Sequence, residues 1–225
     1  MGLTRLSSAI VLYHRDREFF ESFVGPERVR FIHYGVSTDF FRPRPDNIVS
    51  ERRLLSVGHY LRNVGMLSRV IRRLSHRHPD LAFDIVVPER FVKTAGFSEL
   101  LKMPRVHWYQ ALTDEELRYL YQRSYLLLLP MDYVGASNAI VEALACGLPI
   151  VSTGVGGISD YGGGDIYPTV DNNDDDGMIE LVEKYLNAED WREAVARRCR
   201  TFAETELSWP RVAQEHLDAY SALAW

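Results

Sequence analysis

The sequence GASNAIVEALACGLPIVSTGVGG, residues 135–157, contains the pattern that decides the fold. Small and polar residues precede a run of helix-forming residues, which ends in a Gly-Leu-Pro turn. An apolar segment, residues 150–152, follows, and another at residues 125–129 precedes the whole stretch. A strand, a loop, a helix and a strand in this order predict one β-α-β unit. Open parallel sheets bind ligands beyond the carboxyl ends of their strands, so residues 130–138 form the candidate site.

Apolar runs and amphipathic segments alternate along the rest of the chain. The predicted strands are residues 9–12, 29–32, 54–57, 83–87, 106–108, 125–129, 150–152 and 166–169. The predicted helices are residues 16–23, 65–77, 113–122, 137–146, 175–186, 191–205 and 210–223. Several strands are continuously apolar, which is typical of parallel strands covered on both faces. The pattern predicts an α/β fold with a doubly wound, Rossmann-like parallel sheet.

Three predicted helices begin with capping signals. Thr113 and Glu116 have the spacing of a capping box. The acidic residues 174–176 precede another helix, where they favour the positive end of its dipole. Ser208 is the cap candidate of the last helix, which has Pro210 in its first turn.

Composition limits the classes of function. The 225 residues carry a formal net charge of -5, so nucleic acid is not an expected partner. Cys146 and Cys199 lack metal or redox spacing and are expected to be buried thiols in a reducing compartment. Residues 125–129, the longest apolar run, are too few to cross a membrane, and residues 1–8 lack an apolar signal core. We therefore expect a cytoplasmic protein with no transmembrane segment.

The predicted turn before the helix at residues 137–146 is suited to an anion. Gly135, Ala136, Ser137 and Asn138 would expose backbone N–H groups at the helix N-terminus, where the dipole also favours a diphosphate. The Ser and Asn side chains could instead simply cap the helix. The residues alone leave both alternatives open.

Glu142 lies in the first turns of this helix among core-forming residues. A carboxylate in such surroundings needs a partner. One alternative is an ion pair with an arginine. The other is a ribose, which would lie beside the same turn if its diphosphate occupied the helix N-terminus, and whose hydroxyls would donate to the carboxylate.

The run NAIVEALACGLPIVST, residues 138–153, with the Val-Gly-Gly of residues 155–157, resembles the signature of the retaining glycosyltransferases of family 4, which have the GT-B fold. Residues 33–43 resemble the interdomain connection of that family. Residues 55–59 resemble the first strand and loop of its C-terminal domain, and residues 208–209 with the helix after them resemble its C-terminal helix. The resemblance covers almost the whole chain.

The resemblance implies binding of a nucleoside-diphosphate sugar, such as a UDP-sugar or a GDP-sugar, without a metal or a further cofactor. Glu142 would bind the ribose, and the turn at residues 135–138 would receive the diphosphate. The loop that contains Leu112 would border the nucleobase. The catalytic residues stay unknown.

The sequence departs from the family pattern at two single positions and in one loop. The second Glu of the family, near the donor sugar, is Val134 here. The loop that usually offers an Arg and a Lys to the diphosphate has Gly58, His59 and Arg62. Arg62 supplies a fixed fork of donors, whereas His59 either adds one donor or is a surface or capping residue. Tyr34 replaces an Asn, which is expected to affect loop packing only.

The resemblance also implies that the acceptor-binding N-terminal domain is missing. We divide the chain into residues 1–51, a remnant of that domain plus the connection, residues 52–205, the donor-binding domain, and residues 206–225, a crossover helix. Because transfer needs donor and acceptor held together, activity of the chain alone is doubtful. The alternatives are a non-catalytic nucleotide-sugar-binding or assembly module with a separate N-terminal partner, and a nucleotide-sugar enzyme such as an epimerase. A location peripheral to a membrane stays open for the full-length enzyme.

The missing domain would leave an apolar surface bare. Residues 9–13 and the last helix, with Tyr220, Leu223 and Trp225, would normally contact it. Such a patch favours self-association.

Two other motifs are discounted. Residues 172–176 with Glu183 fit a calcium-loop spacing, but the first ligand position is Asn and no helix precedes the loop. The glycines of residues 154–157 lack the third Gly of a dinucleotide fingerprint, where Ser159 stands. We expect those glycines to let the backbone approach the donor sugar.

Overall fold

The computed structural model describes residues 6–44, 52–94 and 96–222. Its strands are β1 (Ala9–Val11), β2 (Val29–Phe31), β3 (Arg53–Val57), β4 (Ala82–Val86), β5 (Val106–Tyr109), β6 (Leu126–Leu129), β7 (Ile150–Thr153) and β8 (Thr169–Val170). Its α-helices are α1 (Arg17–Val24), α2 (Val64–Arg77), α3 (Glu89–Val92), α4 (Phe97–Leu100), α5 (Asp114–Arg123), α6 (Asn138–Ala145), α7 (Asp175–Asn187), α8 (Glu189–Phe202) and α9 (Trp209–Ser221).

The larger sheet has six strands in the order β5-β4-β3-β6-β7-β8, and all its neighbours are parallel. From β3 the chain adds β4 and β5 on one side of the sheet, and from β6 it adds β7 and β8 on the other side. The strand order therefore reverses between these two central strands, where the loops that leave them diverge. Such a switch point opens a crevice at the carboxyl ends of the strands, which is where ligands of doubly wound sheets bind.

The core lies around the central strands. All four residues of β6 are fully buried, and α6 buries six of its eight residues against the sheet. The continuous apolar run of residues 125–129 thus indicated correctly a strand covered on both faces. This packing holds the first turn of α6 directly behind the end of β6.

Residues 6–44 form a smaller unit, in which β1 and β2 are parallel neighbours and α1 connects them. Hydrogen bonds join it to the larger one. The Asp160 carboxylate accepts from the backbone N–H of His14 at 2.8 Å. The Tyr161 hydroxyl donates to the Leu12 carbonyl at 2.8 Å and accepts from the Tyr34 N–H at 2.9 Å. The predicted domain boundary at residues 51–52 lies at the edge of residues 45–51, which are outside the described residues.

The element predictions differ from the structure at identifiable places. The strand predicted at residues 166–169 begins later in the structure, because only Thr169–Val170 pairs with β7. Before it the chain bends at Gly162 and Gly164, which have φ of 87° and 92°. The helix predicted at residues 191–205 ends at Phe202 and continues as a wider π-turn, Ala203–Leu207.

The positions predicted for the helix caps are confirmed at all three helices, and at two of them a side chain makes the capping hydrogen bond. Thr113 Oγ1 accepts from the Glu116 N–H at 3.2 Å, and the Glu116 carboxylate accepts from the Thr113 N–H at 2.8 Å. Asp174 accepts from the Gly177 N–H at 2.9 Å. Ser208 stands at the N-cap of α9 with Pro210 in the first turn, as predicted, although its side chain makes no capping hydrogen bond to the described residues.

None of the helices in the described ranges is both long enough and apolar enough to cross a membrane.

Candidate functional site

A cavity of about 460 Å³ opens at the switch point between β3 and β6. It brings together eight of the nine residues predicted from the sequence to bind a donor, namely Gly58, His59, Arg62, Gly135, Ala136, Ser137, Asn138 and Glu142. Further lining residues not predicted from the sequence include Tyr60, Leu117 and Tyr133. The loop after β3 forms one wall, and the loop after β6 with α6 forms the other.

The N-terminus of α6 faces this cavity. The helix begins at Asn138, and its first backbone N–H groups have no partners within the helix itself. Ser137 occupies the N-cap position, yet its side chain makes no capping hydrogen bond among the described residues. The plain capping role considered for Ser137 is therefore absent, and the N–H groups and the helix dipole stay available for an anion.

Arg62 is a half-buried cation held beside this helix start. Its Nε donates to the Val57 carbonyl at 3.1 Å, and its Nη1 donates to the Met131 thioether at 3.1 Å. Its Nη2 lies 3.4 Å from Ser137 Oγ. Burial lowers the pKa of the guanidinium below its ordinary value. In the part of the chain that the structure describes, no carboxylate forms an ion pair with Arg62. An uncompensated cation in such a place favours an anionic ligand.

Glu142 is a half-buried carboxyl group on the same cavity. One of its oxygens accepts a hydrogen bond from the Tyr121 hydroxyl at 2.8 Å. Burial raises the pKa of Glu142 to about 7, the hydrogen bond from Tyr121 works in the opposite direction, and the charge of Asp114 adds to the rise. Among the described residues no arginine pairs with Glu142, so the ion-pair alternative is not supported. The second oxygen of the carboxylate remains available to a ligand hydroxyl.

His59 packs flat on an aromatic ring at the rim of the cavity. Its imidazole stacks on Phe91 with ring centroids 3.6 Å apart and an interplanar angle of 21°. Burial lowers the pKa of His59, and the charges of Arg90 and Arg62 lower it further. A neutral imidazole in this position is a hydrogen-bond donor for a ligand rather than a second cation.

The carboxylates of the discounted calcium loop are engaged elsewhere. Asp174 caps α7, Asp175 pairs with Arg69, and Glu183 pairs with Arg77. The described residues contain no group of three or more His, Cys, Asp or Glu side chains that could hold a metal ion. The acidic loop therefore fastens α7 to α2.

Residues 51–188 match the family described as glycosyl transferases, group 1. The chain belongs to this family. The matched segment is more than half of the chain and contains every residue that lines the cavity. The glycosyltransferase resemblance of residues 138–157 is thereby confirmed.

Named relatives of this group 1 glycosyltransferase include other sugar transferases. An MMP alpha-(1->4)-mannosyltransferase of Mycolicibacterium hassiacum is 26% identical over 209 residues, which cover 88% of this chain and 49% of that protein. The D-inositol 3-phosphate glycosyltransferase 1 of Catenulispora acidiphila is 30% identical over 156 residues, which cover 59% of this chain and 37% of that protein. The chain thus spans about half, or less, of the length of these relatives.

Solved structures of glycosyltransferases share the fold. The sucrose-phosphate synthase of Thermosynechococcus elongatus superposes with a TM-score of 0.82 at 18% identity, over 98% of this chain and 59% of that one. Anabaena HepE, solved in complex with UDP and glucose, gives a TM-score of 0.79 at 16% identity, over 96% of this chain and 63% of that one. The predicted doubly wound sheet of the GT-B class is confirmed.

One predicted contact of the group 1 glycosyltransferase chain lies apart from the others. Leu112 does not line the cavity at the switch point. It lines a neighbouring cavity of about 340 Å³ with Tyr109, Tyr119 and Arg123, on the other side of the start of α5. From α5, Leu117 reaches the main cavity instead.

The glycines after β7 serve backbone packing. A Cβ added to Gly156 would lie 2.0 Å from the Val134 carbonyl oxygen, and φ of Gly156 is 58°. The Gly157 N–H donates to the same carbonyl at 2.9 Å. Both residues let this loop lie directly against the loop after β6, which they hold in place at the edge of the cavity.

Proposed function

We propose that this chain binds a nucleoside-diphosphate sugar in the cavity between β3 and β6, as the donor-binding part of a glycosyltransferase. One observation carries the proposal. Arg62 and Glu142 line the same cavity, but no carboxylate pairs with the cation and no cation pairs with the carboxylate among the described residues. A ligand with a diphosphate and a ribose supplies both partners at once, because the anion suits Arg62 and the α6 N-terminus while the ribose hydroxyls suit Glu142.

The relatives support the same ligand class. HepE, which shares the fold, was solved with UDP-glucose bound. Retention of the anomeric configuration, independence from metal and a cytoplasmic location are further parts of the proposal. The first two rest on the family resemblance, and the location rests on the composition of the sequence. Val134 favours a second candidate, binding without catalysis, since the carboxylate that the family places near the donor sugar is replaced there.

The two-stranded sheet of the smaller unit, β1 and β2, suggests which partner this chain needs. In the part of the chain that the structure describes, β1 and β2 pair only with each other, and parallel sheets are normally larger and covered. The chain spans 49% of the mannosyltransferase relative, which leaves room for such a domain in that protein. We propose that further strands, upstream in the same protein or in a separate chain, complete this sheet and bind the acceptor.

Calorimetry with UDP, GDP, ADP, UDP-glucose and GDP-mannose tests the proposed function on the chain as it is. We expect binding of at least one nucleoside diphosphate and its sugar, together with a rise in Tm that grows with ligand concentration. Failure to bind any of the five would overturn the proposal. Transfer to an acceptor is measured with the chain alone and with the chain fused behind the N-terminal half of the mannosyltransferase relative. Transfer only in the fusion separates an enzyme part from a binding module.

Exposed aromatic residues on the smaller unit predict self-association. Phe19 and Phe23 lie one turn apart on α1, with 54% and 43% of their surface exposed, and Leu12 is 40% exposed beside them. On α9, Tyr220 is also exposed, whereas Leu223 and Trp225 lie outside the described residues. Light scattering is expected to show a mass that rises with concentration. The double change of Phe19 and Phe23 to Ser should reduce that rise and leave nucleotide binding unchanged. A constant monomer mass would contradict the prediction.

A further inference from the structure

The loop after β6 brings no carboxylate to the sugar end of the cavity, because its Asp132 is not among the described residues that line the cavity and accepts a hydrogen bond from Asn172 instead. Val134 stands where the family has its second Glu, and its side chain is 5% exposed. A donor sugar presents several hydroxyl groups, which need hydrogen-bond partners when water is displaced. Residues next to Val134 that line the cavity are therefore the first candidates to hold them.

Tyr133 is the polar side chain that reaches the cavity beside Val134. Its hydroxyl lies 2.8 Å from the hydroxyl of Tyr13, and the two rings meet edge to face with centroids 6.5 Å apart. Tyr13 belongs to the smaller unit, just before α1. Its ring lies across Gly135 and Gly157, about 3 Å from where a Cβ of either residue would stand. The two tyrosines therefore form a bridge between the two units at the edge of the site.

The hydroxyl pair keeps hydrogen-bonding capacity for a ligand. The hydrogen bond with Tyr133 and burial raise the pKa of Tyr13, so its hydroxyl stays protonated near neutral pH. Either of the two hydroxyls can be the donor to the other. Each phenol has one proton and two lone pairs, so the Tyr133 oxygen keeps at least one lone pair for the cavity in either case.

We propose that the Tyr13–Tyr133 pair holds a hydroxyl group of the donor sugar in place of the carboxylate that is replaced by Val134. The proposal rests on the proposed function and adds the residues that recognise the sugar. Tyr133 accepts a hydrogen bond from the sugar, as the family's Glu does, and Tyr13 positions it through the contact between the two hydroxyls. The smaller unit thereby takes part in selecting the donor.

Affinities for UDP, UDP-glucose, GDP and GDP-mannose test this inference, with wild type, Tyr133→Phe and Tyr13→Phe. The measured quantity is the Kd of the nucleoside diphosphate divided by the Kd of the corresponding nucleotide sugar, for example UDP and UDP-glucose. Removing one hydrogen bond should lower this ratio about fivefold in Tyr133→Phe, with Kd for UDP or GDP unchanged. Tyr13→Phe should lower it less, because the Tyr133 oxygen stays but loses the hydroxyl that positions it. Phe retains the ring packing, and Tyr220→Phe on α9 is the matched control with no expected change.

Each outcome decides the inference. A ratio unchanged in Tyr133→Phe overturns it, as does a wild type that binds the nucleotide and its sugar equally well. Equal weakening of nucleotide and nucleotide sugar indicates a structural role and also overturns it. A wild type that binds none of the four ligands refutes the proposed function itself, which is a separate result.

Discussion

Replacing Arg62 with methionine is expected to weaken binding of a nucleoside diphosphate about 100-fold. Charge-assisted hydrogen bonds contribute about 1.5–3 kcal/mol each, and a guanidinium fork can make two to a diphosphate. Among the described residues that line the cavity, Arg62 is the only Lys or Arg, and burial lowers the pKa of His59, so that its imidazole is neutral near neutral pH. Arg62→Lys keeps the charge but loses the fork, so we expect a loss of about tenfold. Calorimetry with UDP and UDP-glucose gives both values.

The stability of the ligand-free variant separates binding from folding. Arg62→Met removes the hydrogen bond to the Val57 carbonyl, which lowers stability. It also removes a half-buried cation that has no ion-pair partner among the described residues, which raises stability. These effects oppose each other, so Tm should change little. Arg197→Met on α8 is the control, since Arg197 is exposed and pairs with Glu193 far from the cavity. Undiminished UDP binding in a folded Arg62→Met chain would refute the assigned role.

The central part of the fold could be predicted from local patterns. A continuously apolar segment such as residues 125–129 is too short for a buried helix and too apolar for an exposed strand, so its place in the sheet follows from its composition. The position of the site follows in turn, because the loops at the carboxyl ends of parallel strands share one edge. Helices of four residues, such as α3 and α4, show no periodicity and were not predicted.

The chemistry of the site depended on contacts that no local pattern encodes. That no carboxylate among the described residues pairs with Arg62 depends on how two loops about 70 residues apart meet. The stack of His59 on Phe91 depends on α3, a helix that the sequence did not indicate. Tyr13 and Tyr133 are 120 residues apart, and only the packing of the smaller unit on the larger brings their hydroxyls together. Residue types predicted what the site could bind, whereas tertiary contacts determine which groups are available.

Glu142→Gln is expected to remove a pH dependence from the stability of the ligand-free chain. Burial raises the pKa of Glu142 from an ordinary 4.5 to about 7 in the folded state. Between these two pKa values the folded chain therefore keeps a proton that the unfolded chain releases. The resulting contribution of Glu142 to the free energy of unfolding is complete below about pH 4.5. It is lost as the pH rises through about 7, and amounts to about 3 kcal/mol. The lowered pKa of His59 acts in the opposite direction near neutral pH, so only the difference between wild type and variant isolates Glu142.

Urea unfolding at about pH 5 and about pH 8 measures this difference. Wild type should lose stability relative to Glu142→Gln between the two values, so that the variant is the more stable ligand-free chain at the higher pH. Glu99→Gln, at an exposed carboxylate that pairs with Arg72, is the control and should follow wild type. Parallel curves for wild type and Glu142→Gln would show that Glu142 titrates normally.

Donor binding should show the reverse dependence, because the ionised form of Glu142 is the one that accepts ribose hydroxyls. Affinity for UDP-glucose, whose diphosphate does not titrate in this range, is expected to rise with pH through about 7 and then to level off. Glu142→Gln should bind about 30-fold more weakly at about pH 8 and should show no such rise. It should also lose the preference of wild type for UDP over 2′,3′-dideoxy-UDP. If that preference persisted in the variant, Glu142 would not be the group that binds the ribose. A more stable ligand-free chain with a weaker donor site is the combination expected of a carboxylate kept in place for its ligand rather than for the fold.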